Sequence, residues 1–291
     1  MLRGTITALV TPFDETGAID EAALRRLVSF QIEDGVNGLL PCGTTGESPT
    51  LSYEEHNRVI NIVIDEARGR VPVIAGTGSN STREAIELTE HALKAGADYS
   101  LQVAPYYNKP TQKGLYEHFL AIAEAVDIPL IIYNIPGRTG KNIETKTIVR
   151  LTEHKNIIGL KEASGDINQM MDVIQQCPPD FAVFSGDDNL TYPLITLGGA
   201  GVISVASNII PRQVCELVNA GLEGQWTDAR ERHYDLLPVF KAFFLETNPI
   251  PVKTALAMKG MMKEVFRSPM CSMEPDTRAR LEAVLREKAI I

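Results

Sequence analysis

The sequence predicts a (β/α)8, or TIM, barrel followed by a C-terminal helical extension. Three observations predict this. Eight short apolar runs recur up to Val205 with little polar alternation, the pattern of parallel strands covered on both faces. Each interval between runs can hold a helix, and eight such units approach the usual barrel size of about 250 residues. From about Gln225 onward the pattern is helical only. A barrel over 1–224 and a helical domain over 225–291 are therefore expected. The rival is a doubly wound open sheet, which favours an early dinucleotide fingerprint. Gly43-Thr44-Thr45-Gly46 has the wrong spacing for one.

The strands are expected at 4–10, 38–41, 71–75, 99–103, 130–133, 157–161, 182–185 and 202–205. Ser52-Tyr53-Glu54-Glu55 reads as a capping box before Val59, Ile60, Val63 and Ile64 at helical spacing. Ser81-Thr82-Arg83-Glu84 repeats that signal before Ile86, Leu88 and Ala92. Further helices are expected at 115–125, 169–176, 228–242, 250–259 and 276–288.

Composition narrows the function classes. With 291 residues, 44% of them hydrophobic, the chain can bury a large core. Its formal net charge is −9 and it has no basic stripe, so no nucleic acid partner is expected. No apolar run approaches the roughly 20 residues of a membrane helix. Residues 1–6 enter a strand-like pattern directly, without signal-peptide character. Cys42, Cys177, Cys215 and Cys271 form neither a metal-ligand spacing nor a redox pair, which fits reduced thiols in a cytoplasmic protein. The five histidines form no ligand pair, so no metal is expected. Asp187-Asp188 is an acidic pair of the kind that usually caps a turn or is solvated. No nucleophile elbow supports a serine triad.

Lys161 is the most informative residue. It ends the apolar run Ile157-Ile158-Gly159-Leu160, where an ammonium group costs several kcal/mol to desolvate unless it is paired or loses its proton. A deprotonated lysine is an amine nucleophile that forms a Schiff base with a carbonyl compound. The segment alone is equally consistent with a lysine that reaches solvent or pairs with Glu162.

Barrel chemistry sits at the C-terminal ends of strands. Here those ends carry Gly43-Thr44-Thr45-Gly46-Glu47, Pro105-Tyr106-Tyr107, Tyr133-Asn134-Ile135-Pro136-Gly137-Arg138-Thr139-Gly140, Lys161 and Gly186-Asp187-Asp188. Thr44 and Thr45 offer hydroxyls and amides for a carboxylate, or form an ordinary turn. Tyr133 can pass protons, or serve as a core tyrosine. Tyr106 and Tyr107 are adjacent and so point different ways. Arg138, in a loop between glycines, suits a carboxylate, or else is a solvated surface arginine.

Three separated segments, 43–47, 133–139 and 159–166, carry a resemblance that spans nearly the whole chain. The sequence resembles the dihydrodipicolinate synthase family, in the pyruvate-dependent class I aldolase superfamily that includes N-acetylneuraminate lyase. The resemblance implies a lyase that condenses pyruvate with L-aspartate 4-semialdehyde in lysine and diaminopimelate biosynthesis. It implies an imine on Lys161 and no organic cofactor. It implies a proton relay of Thr44, Tyr107 and Tyr133, with Tyr107 supplied by a neighbouring subunit. Thr45 would hold the pyruvate carboxylate and Arg138 the carboxylate of the aldehyde. Gly186 and Ile203 would contact pyruvate through the backbone. An inhibitory L-lysine site is implied at Ser48, Pro49, Leu51, Tyr53, His56, Asn80, Glu84 and Tyr106, although Tyr53 departs from the histidine common in sensitive bacterial enzymes. A homotetramer built as a dimer of dimers is also implied. The alternative within the superfamily is a 2-keto-3-deoxy sugar acid aldolase or a sialic acid lyase; the sialic acid lyases lack the Gly-Arg-Thr arrangement around Arg138.

Overall fold

A computed structural model describes residues 2–291. Its eight strands are β1 (Gly4–Ala8), β2 (Gly38–Leu40), β3 (Ile74–Gly76), β4 (Tyr99–Val103), β5 (Leu130–Asn134), β6 (Ile157–Glu162), β7 (Ala182–Ser185) and β8 (Gly201–Ser204). They pair in parallel in the order β2-β1-β8-β7-β6-β5-β4-β3. A parallel bridge between Leu39 and Val73 joins the two ends and closes the ring. The expected (β/α)8 barrel is the observed fold.

Each strand sends alternate residues to two cores. Ile6, Leu40, Ile74, Leu101, Ile131, Phe184 and Ile203 fill the barrel interior. Leu39, Leu130, Ile132, Leu160, Val183 and Val202 face outward and meet the helices. These are α1 (Glu21–Glu33), α2 (Tyr53–Ala67), α3 (Thr82–Ala95), α4 (Gln112–Ala125), the single turn α5 (Pro136–Thr139), α6 (Thr145–Leu151), α7 (Ile167–Gln176), α8 (Thr191–Thr196) and α9 (Pro211–Leu222). Then come α10 (Trp226–Ala242), α11 (Ile250–Met258) and α12 (Pro275–Glu287). α10 packs on α9, and α12 packs on α10 and α11.

The differences from the expected elements have local causes. The third strand begins at Ile74 rather than residue 71. Pro72 has no N–H for a ladder, and its carbonyl accepts from Leu39 N instead. Ser52 and Glu55 form the expected capping box on α2. Ser81 caps α3 by accepting from Glu84 N, but the box is not completed. The Glu84 carboxylate accepts from Ser79 Oγ at 2.8 Å, and Ser81 N donates to Ser79 Oγ. Arg138 lies in the helical turn α5, not in an open loop. Pro136 starts that turn and Gly140, at φ 70°, ends it.

Candidate active site

Lys161 is placed by strand register. Across the ladder it stands opposite Tyr133 on β5 and Phe184 on β7, so its side chain enters the barrel interior. It is 5% exposed, and its Nζ lies 4.3 Å from the centroid of the Tyr133 ring. Pairing with Glu162 does not occur, because successive strand residues face opposite ways. The Glu162 carboxylate instead accepts from the side-chain amides of Asn134 and Gln169 and from Ser164 N. Burial lowers the Lys161 pKa to about 8, against the opposing pull of Asp187 and Asp188; Arg138 lowers it further. A lysine at that value is about one-tenth neutral amine at pH 7, several hundred times the fraction of a solvated lysine.

The surrounding groups suit imine chemistry. Burial pushes the Tyr133 hydroxyl up, and a hydrogen bond with Thr44 opposes this. Tyr133 is therefore a neutral phenol beside the amine, able to donate or relay a proton. Asp188 is buried and accepts from Ser204 Oγ, Val205 N and Ala206 N, so it braces the end of β8. Burial raises its pKa and that of Asp187, with Lys161 pulling each the other way.

Gly186 packs directly on the lysine. A Cβ there would stand 2.5 Å from Ala163 Cβ and 3.1 Å from Lys161 Cε. Gly186→Ala is expected to slow imine formation about 10- to 100-fold, because the displaced amine loses its attack geometry. Borohydride trapping at short pyruvate exposures measures this, and wild-type trapping rates would mean that the contact does not position Lys161.

A cavity of about 520 Å³ opens beside Tyr133, and Lys161, Thr45 and Gly186 are not in its lining. Thr44, Tyr133 and Arg138 line it, together with Ser48, Pro49, Leu51, Tyr53, His56, Glu84 and Tyr106. Most of the expected inhibitory residues thus share one continuous space with Thr44, Tyr133 and Arg138. Asn80 does not line it, and its amide donates to the Tyr106 carbonyl at 3.1 Å. His56 Nε2 lies 2.8 Å from the Gly76 carbonyl, and burial lowers the ring's pKa. Tyr107 is 91% exposed with φ 71°, and it is not part of this cavity. Ile203 is buried in the barrel interior, with its Cα in register with Ile6. Among the described residues no three of His, Cys, Asp and Glu are grouped as a metal ion requires.

Sequence reasoning missed the residues that hold the 43–47 loop. The buried Asn248 donates from Nδ2 to Thr45 Oγ1 at 3.0 Å, and its backbone carbonyl accepts from Arg138 at 3.0 Å. Glu47, at φ 54°, forms a fully buried ion pair with Lys253 of α11 and accepts from Arg267 N. Arg267 also grips Glu55 and the carbonyls of Gly17 and Thr50. Lys253 had a signal: it too is a lone lysine in an apolar run, Ile250-Pro251-Val252-Lys253-Thr254-Ala255-Leu256.

Comparisons with known proteins place the chain in a family. Residues 1–288 match the model of the dihydrodipicolinate synthetase family. The chain is 54% identical over 291 residues to the 4-hydroxy-tetrahydrodipicolinate synthase of Pelobacter propionicus, covering all of both chains. The dihydrodipicolinate synthase of Acinetobacter baumannii, solved with pyruvate, is 45% identical with a TM-score of 0.98 and full coverage of both chains. That of Cyanidioschyzon merolae, solved with lysine bound, is 41% identical with a TM-score of 0.97, covering all of this chain and 99% of the other. The chain belongs to the dihydrodipicolinate synthetase family, and it is a lyase of lysine and diaminopimelate biosynthesis that forms 4-hydroxy-tetrahydrodipicolinate.

Proposed function

We propose that Lys161 carries this reaction as a Schiff-base nucleophile, with pyruvate as first substrate and L-aspartate 4-semialdehyde as second. The observation that carries the reading is a buried lysine at the end of β6, held near pKa 8, beside a neutral phenol that lines a cavity edged by Arg138. The Lys161 amine adds to the pyruvate keto carbon, and water leaves to form the imine. Loss of a methyl proton gives the enamine, whose carbon attacks the aldehyde. The amino group of the second substrate then adds to the imine carbon and expels the Lys161 amine. The protonated imine is the electron sink, so the step draws on no cofactor. Thr45 and the neighbouring amides hold the pyruvate carboxylate, while Gly186 and Ile203 shape the pyruvate pocket. Arg138 holds the carboxylate of the aldehyde.

Thr44 and Tyr133 relay protons, and Tyr107 of a neighbouring subunit completes the relay. The exposure of Tyr107 and its isolation from its own cavity support a shared site. Exposed Tyr53 and Tyr106, which line the same cavity, suit a subunit contact of a homotetramer built as a dimer of dimers. Free L-lysine binds across Ser48, Leu51, His56, Asn80, Glu84 and Tyr106 as inhibitor. The lysine-bound relative and the continuity of this region with the catalytic cavity support that assignment. Free cysteine thiols, among them the exposed Cys271, suit a cytoplasmic setting.

Trapping tests the chemistry. Incubation with pyruvate and borohydride is expected to leave one pyruvate-derived adduct per chain, mapped to Lys161 by peptide mass spectrometry, with aspartate semialdehyde turned over in parallel. An adduct on another lysine, or none, would remove Lys161 from the mechanism.

A further inference from the structure

Asn248 is 6% exposed and lines the cavity, yet its Oδ1 has no hydrogen-bond partner among the described residues. A buried amide oxygen left without a donor is costly and marks a site that a ligand can complete. The rest of Asn248 is committed. Nδ2 donates to Thr45 Oγ1, and the backbone carbonyl holds one end of the Arg138 guanidinium. Thr45 accepts from the amide, which leaves its own hydroxyl proton free to donate to a carboxylate.

One residue therefore ties the pyruvate-carboxylate group to the arginine that takes the second carboxylate. An acceptor without a partner, enclosed by its neighbours, stands on that same residue. An anion-binding guanidinium beside a neutral acceptor matches the head of an α-amino acid, in which a carboxylate and an ammonium sit on one carbon. We propose that Asn248 is a specificity-determining residue whose Oδ1 accepts a hydrogen bond from the α-ammonium of the second substrate while Arg138 holds its carboxylate. The proposal rests on the Schiff-base reading and deepens it.

Asp187 is the rival acceptor. Its carboxylate lies close enough to Lys161 to act on that amine, and among the described residues it receives no hydrogen bond from another side chain. The test separates the two. The enzyme is preloaded with pyruvate. The rate at which the pyruvyl mass on Lys161 disappears after borohydride quench is then compared for aspartate semialdehyde and for 4-oxobutanoate, the same aldehyde without its amino group. The ratio of the two rates on one preparation cancels defects in folding and in pyruvate binding. In Asn248→Leu the preference for the amino aldehyde is expected to fall about 10- to 100-fold, the worth of a hydrogen bond to a charged group. In Asn248→Asp the preference is expected to hold or rise, while pyruvate loading weakens because Thr45 loses its donor. An unchanged ratio in Asn248→Leu overturns the proposal, as does a collapse confined to Asp187→Asn. Absence of any pyruvyl mass on the wild-type protein would instead sink the Schiff-base reading itself.

Discussion

Lys161→Met is expected to lose activity by about 10³- to 10⁶-fold, the scale seen when a covalent nucleophile is removed, and at the same time to become more stable. The second half of that result follows from linkage. Burial lowers the pKa of Lys161 to about 8, so between about pH 8 and 10.5 the unfolded chain binds a proton that the folded chain does not. Stability from this group therefore rises with pH through that window, and below pH 8 its burdened ammonium destabilises the fold. A lowering of this size corresponds to about 3 kcal/mol at most. Methionine, which fills similar space without a charge, is expected to recover about 1–3 kcal/mol at pH 7, because Asp187 loses a favourable neighbour as well. Urea unfolding at pH 7 and pH 10 at a fixed protein concentration measures it, and the advantage of Lys161→Met should shrink at pH 10. In the wild-type protein kcat/KM for pyruvate should climb to about pH 8 as the amine deprotonates, then level off. A Lys161→Met protein that is both inactive and less stable at pH 7 would mark Lys161 as a structural prop.

Much of this site is legible from residue order because it depends on local pattern. Lys161 interrupts an apolar run, and period-two alternation decides which face it takes once β6 is paired. Arg138 and Thr44 sit at strand ends, where the barrel always gathers its chemistry. What stayed hidden depends on contacts across the chain. Asn248 meets Thr45 over 203 positions, and Arg267 meets Glu47 over 220. No periodicity marks such pairs, and an asparagine before a proline reads only as a turn. Glu84 was legible as an N3 carboxylate, but Ser79 outcompeted the Ser81 amide for it, a choice made by loop geometry. Tyr107 is a third kind of case. Its neighbours in this chain give it no contact with the cavity, so a single sequence can place it only through family resemblance.

Lys253→Met is expected to destabilise the protein by about 3–5 kcal/mol, in contrast to the gain at Lys161. The two lysines are similarly buried but differently partnered. Lys253 is 0% exposed and ion-paired to Glu47, with the rings of Phe13 and Phe266 against its Nζ at 4.4 and 5.2 Å. Burial lowers its pKa, and the Glu47 carboxylate opposes that shift. Removing the ammonium leaves the carboxylate buried with the Arg267 amide as its remaining donor. A domain's whole stability is about 5–15 kcal/mol, so the loss is large. The double variant Glu47→Gln/Lys253→Met removes both charges and is expected to recover most of it. The pair also holds the 43–47 loop against α11. The single variant should therefore bind pyruvate more weakly even where it is folded, because Thr44 and Thr45 lose their anchor. Urea unfolding across the four-member cycle, with pyruvate trapping on each folded variant, checks both parts. Additive effects in the cycle, with trapping unchanged, would show that the pair neither couples nor positions the loop.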